Sequence, residues 1–315
     1  MTDFARNKIA GGMLLASLGA GAVAAALGSA PQASASCASF FGIGNSADCY
    51  STPTSVAIAL GPGAQAYALG TLGSAIAVGK VSFAMIDEDT VLNSVTALGY
   101  STGAYANSGG RLGTAVAVGN DATAVLAGGD LNLAAALGDS AVGYAGRTPY
   151  VDKAVGNIAI AVGNSRYGAQ AAAQGMGNVA VNVFSPSSAK QFGSNVLAVG
   201  TFNFAASFFS RDSQVYAGFG GKQLGGTRNV AFSGFGRGND IEAHGPGSIV
   251  GSLFQSATTV LRSGPGVTIN GRSNPIEQQH AAPHHTPAKP ATADRAPASG
   301  KAASARGTKK ARNGG

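Results

Sequence analysis

Six residues, Gly61-Pro62-Gly63-Ala64-Gln65-Ala66, fit the glycine pattern of a dinucleotide-binding turn in its G-x-G-x-x-A form. That pattern acts on pyrophosphate only where it follows a strand and opens a helix whose first N–H groups point at the ligand. Here glycine and alanine run on without helical spacing, so no nucleotide site is expected. Asp87-Glu88-Asp89 places three carboxylates together, as a hard cation would require. They lack the spaced glycine and further oxygen ligands of a calcium loop, and a solvated loop is the expectation. Asp240 and Glu242 lie near His244 and could share one strand face as a small acidic site, although rim positions suit them better. The other histidines, His280, His284 and His285, sit beside or within a proline-rich segment and offer no folded three-ligand set. Asp121, Asp130, Asp139 and Asp152 keep no common spacing, so the paired carboxylates of a polysaccharide-cleaving solenoid are not apparent. No catalytic, cofactor or metal site is expected.

Two cysteines remain, Cys37 and Cys49, with eleven residues between them. They follow a stretch with the marks of a secretory signal over residues 1–35. Arg6 and Lys8 precede an uncharged run from Ile9 to Leu27, and Ala33-Ser34-Ala35 offers a cleavage site before Ser36. An uncleaved anchor is the alternative, because the run is long enough to span a bilayer. In an exported chain the cysteine pair is expected to form one disulfide, closing a loop or cap over residues 36–50.

Net charge is +7, but it is unevenly distributed. Lys289, Arg295, Lys301, Arg306, Lys309, Lys310 and Arg312 face a single acid, Asp294, in the last 35 residues, whereas residues 36–280 carry equal numbers of basic and acidic side chains. The body is therefore no nucleic-acid-binding domain by charge. Residues 273–315, with Pro275, Pro283, Pro287, Pro290 and Pro297 among Ala, Ser, Lys and Arg, read as a disordered basic tail. Such a tail could hold an anionic envelope polymer, or merely aid solubility.

What must position any site is a repeat spanning residues 51–272. A small or polar residue opens a run of aliphatics alternating with alanine and closed by glycine. The first is Ser55-Val56-Ala57-Ile58-Ala59-Leu60-Gly61, and openings follow at Ser74, Ser94 and Thr114. After a less regular coil at Leu133 to Gly138, the pattern returns at Asn157, Asn178, Asn195, Asn229 and Ser248, with a further coil near Gln214. Second runs, such as Ala64 to Gly70 and Gly103 to Ala106, fall between the first ones. Glycine at this density excludes long helices, and runs of five or six residues rich in Val and Ile suit strands. The expectation is an all-β solenoid or β-roll of about eleven coils, roughly nineteen or twenty residues each, with two strands per coil and neighbours stacked about 4.8 Å apart.

In the first run Val56, Ile58 and Leu60 share one face, and Ala57 and Ala59 the other. Alanines turned outward would form a small-residue face on which a second copy of the chain could pack. Phe202, Phe204, Phe208, Phe209, Tyr216, Phe219, Phe232 and Phe235 enrich the later coils; they are expected to widen the core, or, if exposed, to stack on sugar rings such as those of a host glycan.

The units Ser74-Ala75-Ile76-Ala77-Val78-Gly79 and Asn157-Ile158-Ala159-Ile160-Ala161-Val162-Gly163 resemble the head repeats of trimeric autotransporter adhesins. The resemblance covers residues 51 to 270. It implies a left-handed β-roll that associates with its own copies and adheres, without implying autotransport. In overall style the chain is similar to Gly/Ala-rich secreted actinobacterial envelope proteins. Together these readings describe a structural or adhesive protein, secreted or held at the cell surface or wall. A polysaccharide-binding or polysaccharide-cleaving solenoid and a membrane β-barrel pore are the alternatives.

Overall fold

The computed structural model describes residues 36–147, 153–164, 169–184, 194–209, 213–220, 223–224, 226–255 and 258–273. The signal segment and the basic tail, including Lys289 to Arg312, the three distal histidines and Asp152, lie outside them, as do Arg211 and Asp212. Among the described residues there is no helix. The chain forms an all-β solenoid in which alternate strands belong to two facing sheets.

The first sheet takes the strand Val56–Leu60 and continues through Ser74–Lys80, Ser94–Tyr100, Thr114–Asn120, Leu133–Asp139, Ile158–Asn164, Val179–Val183, Phe204–Phe208, Val230–Gly234, Ser248–Leu253 and Gly266–Ile269. All eleven run parallel. The second sheet stacks eleven more, from Cys49–Ser51 to Thr258–Arg262, also in parallel. Sequential strands of an up-and-down barrel would pair antiparallel, so the chain does not form one. The segment Leu133–Asp139, which looks irregular in sequence, is an ordinary member of the stack.

The alternation runs opposite to the orientation expected from the sequence. Ala57, Ala59, Ala75, Ala77, Ala115, Ala117, Ala159 and Ala161 are wholly buried, facing the second sheet, while Ile76, Val78, Val116, Val118, Ile160 and Val162 face outward and remain half-buried. The second sheet matches this with inward Ala66, Ala68, Ala84, Ala104, Ala124, Ala171 and Ala173. A coil of about twenty residues with two tight corners leaves only a thin space between its strands. Alanine fills most of that space, with single larger side chains such as Ile86, Val95, Leu126 and Ile241 set among the alanines, and two opposed layers of Leu or Ile would not fit. The small-residue face is the core, and it is not available to a second copy.

A second correction concerns phase. Asn195 does not open a first-sheet strand: Ser194–Thr201 and Gln214–Ala217 both belong to the second sheet, and the first-sheet strand of that coil follows Asn203. The inward Val196 and Ala198 of the second sheet repeat the aliphatic–alanine pattern, so the two kinds of strand look alike in sequence. With that change the later coils measure 25, 21, 25, 26 and 19 residues from Asn132 through Asn157, Asn178, Asn203 and Asn229 to Ser248.

Those asparagines explain why the openings are polar. Each is fully buried at the corner before its first-sheet strand. The side-chain oxygen of Asn132 accepts the backbone N–H of Asn157 at 2.9 Å, and that of Asn203 accepts the N–H of Asn229 at 2.9 Å. The result is a ladder satisfying backbone groups that a bare corner would leave unpaired. At the opposite corner the strand-closing glycines stack. A Cβ on Gly79, Gly99 or Gly138 would lie 1.7–1.9 Å from the carbonyl oxygen of the next coil's glycine, and all three hold positive φ. Only glycine permits coils to approach that closely.

Both ends of the stack are closed. Ser36–Phe40 crosses Val56–Leu60 antiparallel and turns back through Ile43–Gly44. The disulfide Cys37–Cys49 joins this cap strand to the first strand of the second sheet, and both cysteines are buried. At the other end Arg272–Ser273 folds back on Gly266–Ile269. There Arg262 takes an inward position, and its guanidinium donates to the carbonyls of Gly264 and Pro265 and to Thr268 Oγ1. A hydrogen-bonded cation thus takes the last inward position of the described second-sheet strands.

Candidate binding faces

The outer face of the first sheet is built from in-register columns. One contains Ile76, Thr96, Val116, Ala135, Ile160, Val181, Ala206 and Phe232; its neighbour contains Leu60, Val78, Leu98, Val118, Leu137, Val162, Val183 and Phe208. Because each side chain flanks its equivalent one strand away, the face is a continuous apolar surface, half-buried at most positions. Corner residues extend it at both edges. Leu72, Leu92, Leu112 and Leu131 project before the early first-sheet strands, each with φ of 53 to 57°. Phe184, Phe209, Phe235 and Phe254 follow later first-sheet strands at φ of 46 to 58°. The four rings form a continuous stack with centroids 5.8, 5.5 and 5.1 Å apart and interplanar angles falling from 23° to 8°. Phe254 is 76 % exposed. Left-handed backbone at a bulky apolar residue carries strain, and exposing that residue to water adds to the cost. The expectation that the later aromatics widen the core is therefore corrected for Phe202, Phe204, Phe208, Phe209 and Phe235, which are all exposed. An alanine-filled interior has no volume for their rings.

The second sheet's outer face has different chemistry. Tyr50, Tyr67, Met85, Tyr105, Val125, Tyr144, Ala172, Leu197, Tyr216, Glu242 and Leu261 occupy one column in register. Beside it the later coils place Gln170, Asn195, Gln214 and Asp240 in the adjacent column. A pocket of about 210 Å³ opens where Ala172 interrupts the larger side chains, bounded by Tyr144 on one side and by Leu197 and Tyr216 on the other. The Tyr144 hydroxyl donates to the Arg147 carbonyl at 2.7 Å, and the Tyr216 hydroxyl donates to Gln214 Oε1 at 2.5 Å. Burial holds both phenols above the usual tyrosine pKa, and Asp240 and Glu242 raise Tyr216 further. Burial likewise lifts the Asp240 carboxyl, whose Oδ1 has no hydrogen-bond partner.

The structure does bring Glu242 and His244 together, with Oε2 and Nε2 2.8 Å apart, and places Asp240 on the same strand. Asp87-Glu88-Asp89 forms a turn after the strand Phe83–Ile86, and Asp87 O accepts the Thr90 hydroxyl at 2.7 Å. Gly61-Pro62-Gly63 is a corner between two strands, with positive φ at both glycines, and opens no helix. Among the described residues no group of three His, Cys, Asp or Glu is placed to hold a metal ion. The tyrosine column is absent from the sequence reading, although a signal for it exists. Tyr67, Tyr105, Tyr144 and Tyr216 are each followed by an inward alanine, in Ala68, Ala106, Ala145 and Ala217.

Comparison with protein-family models, with curated proteins and with solved structures finds no match to this chain.

Proposed function

We propose that the protein is an exported, non-catalytic structural or adhesive element of a bacterial cell envelope, and that its copies assemble through the outer face of the first sheet. The observation that carries this reading is the inverted alternation, with alanines inside and Val, Ile, Leu and Phe outside. A face of eleven strands about 4.8 Å apart and some three outward residues wide covers roughly 50 by 13 Å. That is several hundred Å² of continuous apolar surface, at or above the largest patch a soluble monomer ordinarily exposes. It approaches the roughly 800 Å² per partner of a standard protein interface. Periodicity argues for a second copy as the occupant. Side-chain rows repeating at the strand spacing interdigitate along their whole length only with a surface of the same repeat, which another copy supplies.

Export is supported by the character of residues 1–35 and by the buried Cys37–Cys49 disulfide, which fits an oxidising compartment. The basic tail, Lys289 to Arg312, would tether the assembly to an anionic polymer of the envelope. The decisive experiment is multi-angle light scattering on the chain from Ser36 at micromolar concentration. A discrete oligomer is expected, and a strictly monomeric species would overturn the assembly reading. Recovery of the intact, unprocessed chain from the cytoplasm of an exporting host would overturn the localisation.

A further inference from the structure

We propose that the pocket between Tyr144 and Tyr216 on the second sheet is a binding site for a neutral saccharide chain. The site is independent of assembly through the first sheet, which lies on the opposite side of the core.

Three features of the pocket select this ligand class. The first is aromatic spacing. Tyr144 and Tyr216 occupy one column three strand steps apart, about 14 Å at ordinary strand spacing. Ala172, one step from Tyr144, cuts a notch between them. Both tyrosines are half-buried, so their rings are held by neighbouring strands while one side stays open. A pyranose offers apolar C–H faces that stack on such rings, and two sugar units or more would be needed to reach from one tyrosine to the other.

The second feature is the character of the polar groups. Gln170 and Asn195 line the pocket, and the Asn195 side-chain oxygen is buried without a hydrogen-bond partner. Amides both donate and accept, which matches sugar hydroxyls that do the same. A buried acceptor left unpaired is destabilising, and a ligand hydroxyl would relieve it.

The third is charge. None of the lining residues is ionised at neutral pH, and the neighbouring Asp240 and Glu242 are acids. Among the described residues, a phosphate or uronate would meet no cation lining the pocket and two carboxylates beside it. The site thus prefers neutral sugars, in contrast to the anionic polymer suited to the basic tail.

The test uses the chain from Ser36 with immobilised neutral hexasaccharides of glucose, mannose, galactose and N-acetylglucosamine, and a polygalacturonate hexamer as the anionic control. Retention of at least one neutral hexasaccharide is expected, with at least a tenfold loss of affinity in Tyr216→Ala and in Ala172→Phe. The second variant fills the notch from an outward position, so an unchanged thermal melt would separate site loss from unfolding; Gln170→Leu serves if either variant melts early. The proposal fails if no neutral hexasaccharide is retained at millimolar concentration. It also fails if polygalacturonate alone binds, or if folded Ala172→Phe binds as tightly as the parent chain.

Discussion

Asn178 donates both its backbone N–H and its side-chain amide to the side-chain oxygen of Asn157, one coil earlier, each at 3.2 Å. The oxygen of Asn178 in turn accepts the N–H of Asn203 at 2.9 Å, and its amide also reaches the Gly200 carbonyl at 2.7 Å. Truncation in Asn178→Ala leaves the buried Asn203 N–H and Gly200 carbonyl without these partners. A loss of about 3 kcal/mol in chemical denaturation is expected, at the upper end for one buried polar deletion. Asn195→Ala, which removes a buried oxygen that has no hydrogen-bond partner, should leave stability unchanged or slightly raised. Equal losses in the two variants would show that the ladder is not a principal stabiliser.

The glycine stack makes a sharper prediction. In Gly99→Ala the added methyl would sit 1.9 Å from the Gly119 carbonyl oxygen, on backbone at φ +136°. Neither coil can yield without breaking register with the next, so destabilisation of about 3 kcal/mol or more is expected. Gly264→Ala meets nothing within 4 Å and should fall within about 0.5 kcal/mol of the parent. Thermal melts of the two variants decide the matter.

These two devices also show what the sequence could reveal. Period, strand character and coil number are visible because glycine and the polar opener must recur wherever the chain turns. Orientation is not, because Val56-Ala57-Ile58-Ala59 gives two apolar faces, and only the gap between sheets decides which one is buried. The same ambiguity hides the shift at Asn195, where a second-sheet strand carries first-sheet composition. The Cys37–Cys49 pairing is legible by elimination, since no other cysteine exists. The pocket is not: Tyr144, Gln170, Asn195 and Tyr216 come together only through a register that the unequal later coils obscure.

The inward and outward faces should respond oppositely to substitution. Ala117→Leu adds three carbons to a fully buried position between two sheets and is expected to destabilise the fold by about 1–3 kcal/mol. Val116→Lys, on the neighbouring outward position, should leave the melt nearly unchanged but shift light scattering toward monomer. If Val116→Lys unfolds the chain and Ala117→Leu is silent, the orientation of the sheet is wrong.

The disulfide joins the antiparallel cap strand to the opening strand of the second sheet, so its effect should be local as well as global. Replacing both Cys37 and Cys49 by serine removes a loop constraint worth about 3 kcal/mol on the chain-entropy model. Hydrogen exchange is expected to quicken in Ser36–Phe40 and Val56–Leu60, with Val230–Gly234 little affected. Uniform acceleration along all coils would instead indicate that the stack unfolds only as one unit.

Asp240 gives the stack a pH dependence of unusual sign for a carboxylate. Burial raises its folded-state pKa above the ordinary aspartate value of 3.8, so the folded chain binds this proton more tightly than the unfolded chain does. When both states are protonated, below that ordinary value, the group costs nothing. As the pH climbs toward the raised value the unfolded chain ionises first, and stability falls until both states are ionised. Asp240→Asn should therefore raise the melting temperature at pH 7 and give little change at pH 3. The Tyr216 phenol, held up partly by the same carboxylate, should titrate lower in that variant, as ultraviolet difference spectroscopy in alkali would show. A stability difference that stays constant from pH 3 to 7 would mean that the carboxylate is not desolvated in the folded state.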